Sequence, residues 1–189
     1  MCGRLNITQD PLSQFLTDHL GITNYHTFHQ GEVYPTDAVS VITHENLQLR
    51  VVSQPWGFQP TWAKKPIINA RSETAREKSM FKKTLNEGRI LVPCNGWYEW
   101  VEDSHGNKIK TLFQSHQPML LAGLSLERGF VILTTAPSNY YVQYHDRMPV
   151  VISEDKVAHW FNEPFNVGES TPELQTHYLD DMPQQINLF

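Results

Sequence analysis

The second residue of the chain is a cysteine, and a side chain this small lets methionine aminopeptidase remove Met1. The product would carry a free α-amine and a thiol on adjacent carbons. Reference pKa values of about 7.7–8.0 for the amine and about 8.5 for the thiol leave both partly nucleophilic near neutral pH. A 1,2-aminothiol condenses with an aldehyde: the amine forms an imine, and the thiol then closes a five-membered thiazolidine. No other residue offers this geometry at an N-terminus. Taken alone, Cys2 also reads as an incidental second residue.

Four further segments combine residue types that do chemistry. In Ile67-Ile68-Asn69-Ala70-Arg71-Ser72-Glu73-Thr74, an apolar strand end delivers Asn69 and Arg71 two residues apart, on the same side if extended. Asn donates and accepts at a reacting centre, and Arg holds a phosphate through its planar fork. The same stretch also reads as a turn into a helix capped by Ser72 or Thr74. In Val92-Pro93-Cys94-Asn95-Gly96-Trp97-Tyr98-Glu99-Trp100, one carboxylate sits among three aromatic rings. Alternation puts Trp97 and Glu99 on one face and Tyr98 and Trp100 on the other. Burial against a ring would raise the Glu99 pKa toward that of a general acid/base; otherwise Glu99 points to water. In Tyr144-His145-Asp146-Arg147-Met148-Pro149, His145 is a candidate proton shuttle and Arg147 a candidate phosphate ligand, or the segment is a turn before a strand. Trp56-Gly57-Phe58-Gln59-Pro60-Thr61-Trp62 places aromatics beside cations, which suits single-stranded nucleic acid and also a core-packing loop. The other histidines show no ligand spacing, and there is no CxxC or HExxH, so neither a metal site nor a cofactor is expected.

These residues need a scaffold. With 189 residues and 40% hydrophobic composition, the chain can bury a core and is expected to form one domain over 1–189. No apolar run approaches a membrane span, and no signal sequence opens the chain. Two cysteines do not make a disulfide framework. A cytoplasmic protein with no membrane partner is expected. The net charge of −5 conceals a basic stretch: Lys64 to Arg89 carries eight cations against three acids, whereas seven acids and one lysine follow from Glu154 onward. Such a stretch is either a solvated helix face or a surface for an anionic partner.

The patterning predicts a short strand within Cys2–Ile7 and a helix capped by Asp10-Pro11, buried through Leu12, Phe15, Leu16 and Leu20 and ended by Gly21. Strands are predicted over 39–43 and 47–54 around a turn at His44-Glu45-Asn46, then over 90–101, 109–114, 119–126, 130–135 and 150–153. A continuous helix is predicted over roughly 74–86, stopped by Gly88, and a short one over 154–162. The acidic tail from about residue 163 is predicted to be irregular. Strands that do not alternate regularly with helices indicate an α+β fold, a curved, mostly antiparallel sheet or open β-barrel with a few peripheral helices.

In their order along the chain, MCGR, WGFQPTWA, NARSET, LVPCNGWYEW, LTTAP and HDRMPV resemble the motifs of the SRAP (SOS response-associated peptidase) family, over residues 2 to about 152. The resemblance implies a suicidal DNA-repair chemistry. These proteins bind abasic sites in single-stranded DNA and become covalently attached to the ring-opened sugar, whose aldehyde is the partner an aminothiol needs. By matching position, Cys2 would form the thiazolidine and Asn69 would position the ring or the amine. Glu99 would move protons and assist loss of Met1, and His145 would assist sugar opening and reversal. Thr134 would contact the site. Arg4, Arg71 and Arg147 would hold flanking phosphates, and Trp62 and Pro35 would pack on bases. The family often has a second aromatic beside the residue matched to Trp62, where this chain has Ala63. The resemblance further implies a monomer, nucleoid-associated when bound to DNA, with autoproteolytic removal of Met1 and a lyase side activity. Two rival readings use Cys2 differently: an N-terminal-cysteine amidase acting on glutamine, or a cysteine peptidase built from Cys2, His145 and Glu99. A third is a DNA-binding module in which Cys2 is idle.

Overall fold

The computed structural model describes residues 2–164 and 175–178. Strand β1 (Leu5–Ile7) leads into helix α1 (Gln9–Leu20), and β2 (Gly31–Val33), β3 (Ala38–Glu45) and β4 (Gln48–Pro55) follow. Next come β5 (Asn69–Arg71), the one-turn helices α2 (Ser79–Lys82) and α3 (Thr84–Glu87), and the long strands β6 (Arg89–Glu102) and β7 (Lys108–Leu126). Then come β8 (Gly129–Thr135), β9 (Met148–Pro149), β10 (Val151–Ile152), α4 (Val157–Asn162) and β11 (Gln175–Tyr178). Among the described residues the strands join in one open sheet whose main path runs β2-β1-β6-β7-β8-β5. Every named pairing is antiparallel except β5 with β8. The α+β expectation of a curved, mostly antiparallel sheet holds.

β6 and β7 form the spine. Ile90, Leu91, Val92 and Cys94 are all buried, so this half of β6 is covered on both faces and reads as a continuous apolar run. The register shifts between Cys94↔Met119 and Gly96↔Gln114, leaving Asn95 opposite a four-residue excursion of β7. Pro118, which has no N–H for the ladder, sits in that excursion. Asn95 pins the irregularity from the other side: its Oδ1 accepts from the backbone N–H of Thr8 at 2.8 Å.

Curvature follows from a single contact. Four strand-to-strand steps separate β1 from β5 along the sheet, about 19 Å if flat. Yet Asn69, the first residue of β5, donates from Nδ2 to the carbonyl of Cys2, just before β1, at 2.9 Å. The sheet must therefore curl until its distant strands meet, and the candidate site lies in that closure.

Several local expectations are corrected. The hairpin between β3 and β4 pairs Glu45 with Gln48, so the turn is Asn46-Leu47, both at positive φ, rather than His44-Glu45-Asn46. The continuous helix over 74–86 is instead a run of turns followed by α2 and α3. Only Ala75, Phe81 and Leu85 are buried there, and the polar stretch Arg76 to Ser79 offers no apolar residue one helical turn after Ala75. With no helix start at 74, Ser72 and Thr74 cap nothing. The two strands predicted over 109–114 and 119–126 are one strand, because β7 carries its excursion without leaving β6. Within the tail, Gln175–Tyr178 forms a strand against β7, and the rest of the tail beyond Pro164 lies outside the described residues. Helix α1 conforms better: Asp10 is extended, so regular helix begins at Pro11, and Gly21 closes it in the left-handed conformation with its N–H on Thr17.

Candidate active site

β1 runs antiparallel to β6 with Leu5 opposite Trp97, and the N–H of Tyr98 donates to the carbonyl of Arg4. This docks the chain start alongside Glu99. Cys2 is 1% exposed and Glu99 is also buried. The alternation on β6 is as predicted: Trp97 and Glu99 turn to the interior, and Trp100 is partly exposed on the other face. Burial pushes the Glu99 carboxyl above its ordinary range, and the Asp146 carboxylate adds to this.

Burial also changes the expected state of the thiol. Desolvation, the Glu99 carboxylate and Cys94 raise the Cys2 thiol well above its ordinary value. Near neutral pH it is a thiol rather than a partial thiolate, so its attack needs a base beside it. Cys94, the other cysteine, is pushed up to about 12 by burial within β6.

His145 follows a short 3₁₀ turn, Tyr141–Gln143. Its Nδ1 is 3.0 Å from the backbone nitrogen of Arg147, whose N–H donates to it. Burial depresses its pKa, opposed by Asp146, whose Oδ1 is 2.8 Å from Nδ1. His145 is therefore neutral near pH 7 and able to accept a proton.

Asn69 opens an 830 Å³ surface groove lined also by Trp62, Ile67, Arg71 and Lys78. Trp62 is 71% exposed, whereas Trp56 is fully buried with its indole N–H on the carbonyl of Ile68. The aromatic loop therefore splits into one core ring and one surface ring. Arg71 is exposed on β5, paired in register with Thr134 of β8. Thr134 is buried. Its carbonyl accepts from the Ser72 N–H and from Nη2 of Arg147. Arg147, only 9% exposed, makes a two-pronged ion pair with Glu73 at 2.7 and 2.8 Å. Arg4 is engaged on the other face, with Nη1 on Glu32 at 2.7 Å and its guanidinium over the ring of Tyr34 at 3.7 Å. Lys110 also pairs with Glu32. Pro35, half-buried, adjoins Tyr34. Of the cations in the 64–89 stretch, Arg89 is turned inward, capping the carbonyls of Leu85, Trp160 and Glu163.

The structure thus brings Asn69, a lining residue of the groove that also passes Arg71 and Trp62, against the backbone of Cys2, with Glu99 buried near Cys2, whereas Arg147 and Thr134 form a braced layer with Glu73. Sequence reading missed Glu73 as a partner of Arg147, although it stands within the quoted NARSET. A pairing across 74 residues has no spacing signal.

The Arg147 fork holds the Glu73 carboxyl down to about 2. The folded value lies below the ordinary value of about 4.3. The pair therefore contributes its full stability above about pH 4.5 and loses it as pH falls toward 2. Glu73 is 41% exposed, so solvent screening limits the effect to about 1 kcal/mol. In urea unfolding at pH 6 and pH 3, the wild type is expected to lose about 0.5 kcal/mol more than Glu73→Gln, because pH 3 still lies above the folded value and removes only about half of the contribution. Equal losses would show that the pair contributes nothing.

No group of three or more His, Cys, Asp or Glu among the described residues is arranged to hold a metal, and no described helix is long and apolar enough to cross a membrane.

Known proteins are similar to this chain in sequence or in fold. The abasic site processing protein YoaM of Bacillus subtilis (strain 168) is 30% identical over 208 residues, covering 96% of this chain and 88% of its own. The abasic site processing protein YedK of Escherichia coli (strain K12) is 32% identical over 151 residues, covering 74% and 67%. The crystal structure of a phage-related protein from Bordetella bronchiseptica superposes with a TM-score of 0.67 at 28% identity, over 85% of this chain and 81% of that one. The model of the SOS response associated peptidase (SRAP) family matches residues 1–187, and the chain belongs to that family.

Proposed function

We propose that this protein processes abasic sites in single-stranded DNA by crosslinking itself to them through Cys2. The observation that carries the reading is the 2.9 Å hydrogen bond to the Cys2 carbonyl from Asn69, a residue that itself lines the groove with Trp62 and Arg71. Removal of Met1, assisted by Glu99, frees the α-amine. His145 takes the proton from the anomeric hydroxyl and returns it to the ring oxygen as the bond between that oxygen and the anomeric carbon breaks, opening the sugar to the aldehyde. The amine attacks the aldehyde carbon, and the carbinolamine leaves its hydroxyl as water after protonation by Glu99, giving the imine. The Glu99 carboxylate then takes the thiol proton, sulfur bonds to the former aldehyde carbon, and the nitrogen receives the proton. The balance is aldehyde plus aminothiol giving thiazolidine and one water.

The raised Glu99 pKa suits a group that both gives and takes a proton. Exposed Trp62 stacks on a base and Arg71 meets a phosphate, and Arg4 with Pro35 meets the strand only where it passes to the other face, Arg4 exchanging its Glu32 partner there. Arg147 meets a phosphate only by exchanging its Glu73 partner; otherwise it braces Thr134 and the groove from behind. The protein acts as a monomer, associating with the nucleoid only while bound to DNA.

The test mixes protein with a single-stranded oligonucleotide carrying one abasic site and resolves the product on a denaturing gel beside a lesion-free control. A shift that survives denaturation and needs the lesion is expected. No shift, with intact mass showing Met1 removed, would overturn the reading.

A further inference from the structure

The two halves of the Arg147–Glu73 pair differ in their access to water. The Arg147 side chain is 11% exposed and the Glu73 side chain 41%, so solvent reaches the carboxylate far more than the guanidinium it neutralises. Nη1 and Nη2 donate to the two carboxylate oxygens at 2.7 and 2.8 Å. A guanidinium holds two oxygens of a phosphate in the same fork geometry. The fork is also fixed without Glu73, because Nη2 donates to the Thr134 carbonyl at 2.6 Å. Loss of the carboxylate therefore leaves a positioned cation.

Other groups at the same place are ready for an anion. The Ser72 N–H donates to the Thr134 carbonyl that Arg147 also uses, and the Ser72 hydroxyl is buried with no hydrogen-bond partner among the described residues. Nε of Arg147 is likewise buried without a partner. Buried donors left unpaired are costly, and an oxygen-rich group arriving there would satisfy them. Arg71, exposed and two residues before Glu73, lies in register with Thr134. Two cations and a free hydroxyl thus converge around Thr134, and one carboxylate occupies the fork.

We propose that Glu73 is an internal competitor for DNA phosphate: in the free protein its carboxylate fills the anion subsite of Arg147, and a single strand binds there by displacing it. The inference rests on the reading above that Arg71 and Arg147 lie on the DNA track. Its consequence is selection for a polymer. A tethered carboxylate competes at high effective concentration, so a free phosphate held at this subsite alone does not displace it. A strand already held by Trp62 and Arg71 presents its next phosphate at an effective concentration of its own, and does.

The test is the affinity for a lesion-free single-stranded oligonucleotide, read by fluorescence anisotropy, which needs no adduct. Glu73→Gln is expected to bind about fivefold tighter than the wild type, the factor that corresponds to a partly exposed ion pair. The slope of log affinity against log salt should steepen by about 0.7, because Arg147 then neutralises a phosphate instead of a carboxylate. Inorganic phosphate at constant ionic strength should compete with the strand in Glu73→Gln and not in the wild type. Glu77→Gln is the control: Glu77 is exposed in the wall of the groove, and its loss removes the same charge without freeing the fork. Equal gains from the two variants would make Glu73 a repulsive charge only and overturn the proposal, as would no gain from Glu73→Gln. In an Arg147→Met background the gain from Glu73→Gln should vanish, and its persistence also overturns the proposal. Should Arg147→Met not fold, the comparison with Glu77→Gln decides. A wild type that binds no single-stranded DNA overturns the DNA reading together with this one, whereas a wild type that binds but gains nothing from Glu73→Gln overturns this one alone.

Discussion

Cys2→Ala is expected to abolish the denaturation-resistant adduct while leaving DNA binding and the fold intact. The α-amine survives, so an imine to the abasic sugar still forms. Without sulfur the imine cannot close to a ring, and an imine adjacent to the sugar's acidic carbon favours β-elimination. The variant should therefore nick the strand, and borohydride should trap its intermediate. Sulfur addition consumes the C=N bond that drives elimination, so the wild type is expected to keep the strand intact. The buried, protonated state of the thiol makes a further distinction. Because Glu99 must take that proton, Glu99→Gln should slow ring closure and share part of the nicking behaviour. Stable, strand-intact adducts from Cys2→Ala would contradict the assignment of the nucleophile.

Gly96→Ala is expected to cost more stability than its one methyl group suggests. A Cβ at this position would stand 2.4 Å from the carbonyl oxygen of Phe113 and 3.0 Å from Cδ1 of Leu112. The first obstacle is the backbone of the partner strand, which cannot swing aside as a side chain would. Gly96 also pairs with Asn6 of β1 and with Gln114 where the register of β6 and β7 resumes, so relief requires one of those pairings to move. Overpacking costs about 1–3 kcal/mol and more against fixed backbone. At about 2–4 °C per kcal/mol for a chain of this size, Tm should fall by about 10 °C. A change below 2 °C would show that the β6–β7 irregularity is more pliable than this geometry allows. Any shift of β1 also displaces Cys2, so adduct yield should fall even below the new Tm.

The residue types pointed to the chemistry proposed. A cysteine at position 2, a carboxylate among aromatic rings, and the order of the motifs are properties of the one-dimensional string and need no fold. The Trp97/Glu99 face was legible because alternation on a strand is local. So were Gly21 as a helix stop and the α+β class.

What the string could not carry was anything that depended on partners far along it. The helix over 74–86 failed because packing, not local propensity, decided that Ala75 and Phe81 enter the core at a spacing no single helix provides. The fusion of two strands into β7 depended on β6 continuing beside the excursion at Pro118. Arg147 looked like a free phosphate ligand until Glu73 closed on it, and the Cys2 thiol looked ready to ionise until burial removed the water that would stabilise its charge. The site itself exists only because the sheet curls. Cys2 and Asn69 are 67 residues apart and four strand steps away in the sheet, and only closure of that curve brings them within a hydrogen bond. Sequence determined which groups could react; tertiary structure determined which of them meet, because burial and curvature arise from the whole chain at once.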